Sequence, residues 1–169
     1  SKTDRMLSLA RTVNPKIELL TTRKIFPRTK ELALKAVYAG GGVHHRLGLY
    51  DSVLVFEQHR AFFENDEAFE VQFQKMRQKY LEKKIVVEVA SVEEARYFAI
   101  LGTDILQCEK MSFEALKQCV ELKKEFPSLL LSATGRIGEH NIVDNAKPGV
   151  DLIVTSSPYH AKPADMKVT

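Results

Sequence analysis

From Lys16 onward the chain alternates short apolar runs with longer amphipathic stretches, and few folds accept that pattern. Runs too short for helices and without polar alternation suit parallel strands covered on both faces. Six are expected: Ile17 to Thr21, Val53 to Phe56, Ile85 to Val89, Ile105 to Cys108, Leu129 to Ala133 and Leu152 to Thr155. Helical patterns separate them. Residues 60–80 place Phe62, Phe69, Phe73 and Met76 near helical spacing, as an apolar face turned to the core. Ser91-Val92-Glu93-Glu94 has the capping-box form, which starts a helix running to Ile100. Ser112 caps the next, with Phe113, Leu116 and Val120 on one face, and Pro127 ends it. A shorter helix follows Gly138 through Asn145, and the opening Met6 to Ala10 is itself helical. No Gly-x-Gly-x-x-Gly follows the first strand, which disfavours a dinucleotide-binding sheet and leaves an α/β barrel of about six parallel strands as the expected fold.

With 169 residues and 44% hydrophobic content, the chain has enough material for one domain with a core. No apolar run approaches the roughly 20 residues of a membrane span, and the charged Ser1 to Arg5 opening is not a secretion signal. A cytoplasmic protein with no membrane association is the expectation, with Cys108 and Cys119 as free, partly buried thiols. Charge is uneven. Residues 1–60 hold 11 Lys and Arg against 5 Asp and Glu, while residues 61–169 hold 14 against 17. These cations sit at strand ends and in one glycine loop, without the interleaved aromatics of single-strand binders, so small anions are expected rather than nucleic acid.

In parallel α/β folds chemistry collects at the carboxyl ends of strands, where loops converge over the core. Here every such end is polar. The first strand runs into Thr22-Arg23-Lys24, the second into Glu57-Gln58-His59, the third carries Glu88, the fourth ends at Glu109-Lys110, the fifth at Thr134-Gly135-Arg136 and the sixth at Thr155-Ser156-Ser157. The Gly40-Gly41-Gly42-Val43-His44-His45-Arg46 loop adds free backbone N–H groups and a guanidinium fork suited to carboxylate or phosphate. Glu88 interrupts an otherwise apolar strand, so its carboxylate must meet a cation, a hydroxyl or a metal; a plain ion pair with a neighbouring lysine is the alternative. His44, His140 and His160 follow no zinc spacing, whereas magnesium held partly by a substrate remains compatible with the acids.

Thr22-Arg23-Lys24, Gly40-Gly41-Gly42, His45-Arg46-Leu47-Gly48-Leu49 and the strand leading to His59 resemble the quinolinate phosphoribosyltransferase family, also called carboxylating nicotinate-nucleotide pyrophosphorylases. Val55-Phe56-Glu57-Gln58-His59-Arg60 and Val154-Thr155-Ser156-Ser157-Pro158-Tyr159 are similar to segments of its ModD branch, associated with molybdenum-transport operons. The resemblance implies an open, incomplete TIM-like α/β barrel. It implies transfer of phosphoribose from phosphoribosyl pyrophosphate to a quinolinate-like acid, with pyrophosphate released, magnesium present and a homodimer or higher homo-oligomer as the assembly. By matching position, Arg23, Lys24, His45, Arg46 and His59 would contact the substrates' carboxylates and phosphates. Glu88 and Glu109 would face the ribose hydroxyls and magnesium, and Lys24 would join them as a catalytic group. Thr134, Gly135, Thr155, Ser156 and Ser157, with Gly149-Val150-Asp151, would hold the 5′-phosphate.

The likeness has gaps. Phe56 stands where the family has a lysine, Glu57-Gln58 where it has Asp-Asn, Glu109 where it has Asp, and Arg136 where it has a second glycine. The family's amino-terminal domain has no counterpart in residues 1–169, which are expected to be the barrel domain alone. Two other functions remain open: a non-catalytic anion-binding protein of the ModD type serving molybdate transport or cofactor handling, and a barrel lyase or aldolase using Lys24 or Lys110 as a Schiff base.

Overall fold

A computed structural model describes residues 1–48 and 50–162. Leu49, which closes the His45 to Leu49 motif, lies outside the described residues. The strands are β1 (Glu18–Thr21), β2 (Val43–His44), β3 (Ser52–Val55), β4 (Lys84–Val89), β5 (Ile105–Glu109), β6 (Leu130–Thr134) and β7 (Leu152–Thr155). The helices are α1 (Lys2–Arg11), α2 (Lys30–Ala39), α3 (Glu57–Arg60), α4 (Asp66–Lys79), α5 (Val92–Ile100), α6 (Phe113–Glu121) and α7 (Ile142–Ala146). All strands pair in parallel in the order β2-β1-β7-β6-β5-β4-β3, and among the described residues no ladder joins β2 to β3. The result is an open α/β barrel of seven strands, one more than expected. The extra strand, Val43–His44, is two residues long and follows three glycines, so it leaves no periodicity to read.

Alternation along each strand divides the sheet into two faces. Leu19, Val55, Ile85, Val87, Leu106, Cys108, Leu131, Ala133 and Ile153 belong to one buried cluster with residues of the covering helices, among them Phe69, Phe73, Phe98 and Leu116. The residues between them point the other way. Glu88 pairs with Gln107 and Gln107 with Ser132, while Glu109 pairs with Thr134 and Thr134 with Val154, so rows of mostly polar groups run across the concave face.

Local signals set the helix starts. Asn65 accepts a hydrogen bond from Ala68 N at 2.8 Å and starts α4 at Asp66, so the 60–80 helix is interrupted. Phe69 and Phe73 are buried as expected, but Phe62 precedes the cap and is 87% exposed. The Ser91 hydroxyl accepts from Glu94 N at 3.2 Å, while Glu94 reaches back to Ala90 N at 2.8 Å rather than to Ser91 N, and also takes Arg60 at 2.9 Å. Ser112 caps α6 in the same way, accepting from Ala115 N at 3.2 Å. Both cysteines are free and fully buried.

The three glycines are not an anion cradle. Their N–H groups donate to Val37 and Tyr38 carbonyls at the end of α2, and they lie at the amino end of β2, away from the strand ends that open to solvent. Their smallness serves packing: a Cβ on Gly42 would come within 2.7 Å of Thr3 Cγ2 and 3.2 Å of Leu19 O. Gly42→Ala is therefore expected to lower stability by about 1–3 kcal/mol through overpacking, read as a reduced urea midpoint at unchanged slope.

Candidate functional site

Two adjoining chambers of about 740 and 830 Å³ open at the carboxyl ends of the strands and share Thr22, Lys24, Glu109, Thr134 and Val154 along their common border. Their convergence follows from parallel pairing. Every strand delivers its last inward residue and the loop after it to the same mouth.

Positive charge enters from β1 and β2. Arg23, Lys24, His45 and Arg46 line the larger chamber. Arg46 is only 7% exposed, yet neither it nor Arg23 nor Lys24 has an ion-pair partner among the described residues. A buried guanidinium without a counter-ion is costly, and an anion from outside would relieve that cost. Burial, reinforced by Arg23, lowers the Arg46 pKa from its ordinary value. His45 goes further: burial first, then Arg46, Arg23 and His44, bring its pKa down to about 4, so its imidazole is neutral at neutral pH and adds no charge.

Negative charge enters from β4 and β5. Glu88 accepts a hydrogen bond from Gln107 Nε2 at 3.0 Å, and its pKa is raised, chiefly by burial and then by Glu109. No lysine pairs with Glu88 among the described residues; Lys110 is held by Glu109 at 2.8 Å. That contact also occupies Lys110, one of the two alternative Schiff-base lysines. Among the described residues no group of three His, Cys, Asp or Glu could hold a metal with protein ligands alone. Two carboxylates, one raising the other's pKa, could supply part of the ligand set of a hard cation whose remaining ligands came from substrate oxygens.

The smaller chamber is bounded by the loops after β6 and β7. The Thr155 hydroxyl donates to Ile137 O at 2.6 Å and accepts from Ser157 N at 3.0 Å, tying the two loops together. Asn141 holds the first loop from within, accepting from Gly138 N at 2.8 Å and donating to Arg136 O at 3.3 Å. The N–H groups of Gly135, Arg136 and Ser156 find no acceptor among the described residues. Gly135 has φ +95°, and a Cβ there would overlap the Lys110 side chain and come within 2.9 Å of Glu109 Oε1. Arg136 follows at φ 56°, a left-handed conformation that a glycine would hold without strain. Its side chain lines the chamber.

The structure thus brings together Arg23, Lys24, His45, Arg46, Glu88, Glu109, Thr134, Gly135, Thr155, Ser156 and Ser157 around the two chambers. His59 is not among them. It is exposed, its Nδ1 accepts from Phe56 N at 3.0 Å and its ring lies 5.6 Å from that of Phe56, so it caps α3. Gly149-Val150-Asp151 precedes β7 and lies at the opposite end of the sheet, where Asp151 binds Lys123 at 2.6 Å and Leu131 N at 2.9 Å. Gln107 was missed. Its position two residues before Glu109 gives it the same inward parity, a signal present in the sequence but masked by the apolar run around it.

A family model, the C-terminal domain of quinolinate phosphoribosyl transferase, matches residues 1–169. The chain belongs to the quinolinate phosphoribosyltransferase family. It is 35% identical to the ModD protein of Pasteurella multocida over 98% of its own length and 59% of that protein's. With a protein of Methanocaldococcus jannaschii named a probable carboxylating nicotinate-nucleotide pyrophosphorylase it shares 31% identity, over 98% and 60% of the two chains. The solved nicotinate-nucleotide pyrophosphorylase of Francisella tularensis superposes with a TM-score of 0.83 at 29% identity, covering 98% of this chain and 56% of that one. The chain therefore spans about 59% of the length of the curated relatives it matches. Of the departures already noted, Phe56, Gln58, Glu109 and Arg136 line the chambers.

Two outcomes follow from this geometry. Between pH 6.5 and 4 the unfolded chain protonates His45 while the folded one resists, so stability is complete above that window and falls through it with acid, by on the order of 3 kcal/mol. His45→Gln should flatten that part of the stability–pH curve. Arg136→Gly should relieve backbone strain, leaving stability unchanged or raised by up to about 1 kcal/mol, while weakening pyrophosphate binding several-fold in calorimetry.

Proposed function

We propose that the protein is a phosphoribosyltransferase that moves phosphoribose from phosphoribosyl pyrophosphate to a ring nitrogen of a heteroaromatic acid and releases pyrophosphate. The observation that carries this reading is the unpaired, buried Arg46, with Arg23 and Lys24 beside it, facing Glu88 and Glu109 across one mouth. The loops after β6 and β7 would hold the 5′-phosphate with the N–H groups of Gly135, Arg136 and Ser156 and the Ser156 and Ser157 hydroxyls. Arg23 and Arg46 would orient the acid. Lys24, on the border between the chambers, would meet the departing pyrophosphate.

Breaking the bond between ribose and pyrophosphate develops positive charge on the sugar and negative charge on the leaving group. Fixed charges placed where those charges appear lower the barrier without reorganising. Glu88 and Glu109 suit the sugar side, and Lys24 and Arg136 the pyrophosphate side. Glu88 and Glu109 would also carry magnesium through the substrate's diphosphate and hydroxyl oxygens, where the ion would screen the leaving charge. A homodimer and a further domain that closes the mouth belong to the same proposal, the further domain being supported by the fuller length of the family relatives.

A second reading, an anion-binding protein without turnover, rests on Phe56, an apolar ring in the wall of the cationic chamber. Pyrophosphate release by the full-length protein, assayed with phosphoribosyl pyrophosphate, magnesium and a panel of heteroaromatic acids, separates the two. The transferase reading expects release that depends on an acid and falls at least 100-fold in Arg46→Ala. Tight molybdate binding with no release from any acid would favour the second.

A further inference from the structure

The larger chamber carries information about the acceptor. Three cations, Arg23, Lys24 and Arg46, line it, and Lys24 stands on the border where pyrophosphate would leave, so Arg23 and Arg46 are the pair that would take an acceptor's charge. The other basic groups nearby are spoken for: Lys110 is bound to Glu109, Arg60 to Glu94, and His45 is neutral. The wall contributed by β3 and its loop is Leu54, Phe56 and Gln58, with no cation in it. At the floor, the Gln107 amide gives its N–H to Glu88, and its Oε1 is buried without a donor. Gln107 thereby fixes the Glu88 carboxylate at the floor, where, when ionised, it repels a carboxylate and accommodates an N–H, an O–H or a plain ring edge.

We propose that this chamber selects a ring acid with a single carboxylate, gripped by Arg23 and Arg46, whose remaining edge against Leu54 and Phe56 is uncharged. The inference rests on the transferase reading and narrows its acceptor. One carboxylate can accept from both guanidiniums. A second, adjacent carboxylate would be pressed against an aromatic ring or the acceptor oxygens with no cation to pair with it, the arrangement that burial penalises most. Phe56 and Gln107 are then specificity-determining residues, acting by what they withhold from a diacid as much as by what they offer a monoacid.

The test is a calorimetric titration of the full-length protein, in the presence of phosphoribosyl pyrophosphate and without magnesium, using nicotinate and benzoate as monoacids and quinolinate and phthalate as vicinal diacids. The monoacids should bind at least 10-fold more tightly than the corresponding diacids. Phe56→Lys should raise diacid affinity at least 10-fold, whereas Phe56→Leu, which keeps the wall apolar, should retain the monoacid preference and guard against a folding artefact. Tighter binding of the diacids to the native protein, or an unchanged preference in Phe56→Lys with its circular dichroism intact, would overturn the inference. A separate titration with phosphoribosyl pyrophosphate alone tells the two levels apart. If the donor binds and no monoacid does, acceptor selection is wrong while the transferase reading stands; if the donor itself fails to bind, both fall.

Discussion

The structure depends on the register of its parallel sheet. Because side chains alternate, the pairing that seals Leu19, Val87, Leu106, Leu131 and Ile153 under the helices also sends Glu88, Gln107, Glu109 and Thr134 inward. A slip of one residue would exchange the two sets, burying carboxylates among phenylalanines and turning valines to the mouth. Hydrophobic burial on one face therefore specifies the chemistry of the other. The ladder from β3 to β7 carries that constraint through five neighbouring strands.

Within that frame the site is organised by charge held without a partner. Arg23, Lys24 and Arg46 come from the end of the sheet formed by β1 and β2, Glu88 and Glu109 from β4 and β5, and the phosphate-sized loops from β6 and β7. Each group is oriented by contacts that do not consume it. Gln107 holds Glu88, Thr155 and Asn141 hold the loops, and Gly135 leaves room for Lys110 beside Glu109. Backbone strain at Lys110 and Arg136 sits at the same rim, where a fixed geometry has chemical use.

What the sequence made legible was what periodicity encodes. Six strands, the Ser91 and Ser112 caps and the polar strand ends are local patterns, and the structure keeps them. Phe62 misled because helical spacing says nothing about where a helix starts, which Asn65 decides. The triple glycine misled because its composition suits both an anion cradle and a tight packing contact, and only the tertiary position of α1 chooses between them. His59 was placed in the site by its position in the family-like segment, and its imidazole accepts from Phe56 N at the start of α3 instead of lining a chamber. Gln107 went unread because its importance lies in its neighbours, Glu88 and Ser132, which approach it only through pairing across strands.

The two-residue strand β2 has a further consequence. It hangs on the sheet edge by its pairing with β1, by the Thr21 hydroxyl donating to Val43 O at 3.3 Å and by Tyr38 meeting His44 at 2.7 Å. Thr21 in turn receives the Tyr159 hydroxyl at 2.8 Å, from the turn that follows β7. His45 and Arg46 are thus mechanically yoked to the segment that carries Ser156 and Ser157. A ligand seated against that terminal turn and one gripped by the guanidinium on the far side of β1 would therefore lean on the same hydrogen-bonded chain through Thr21.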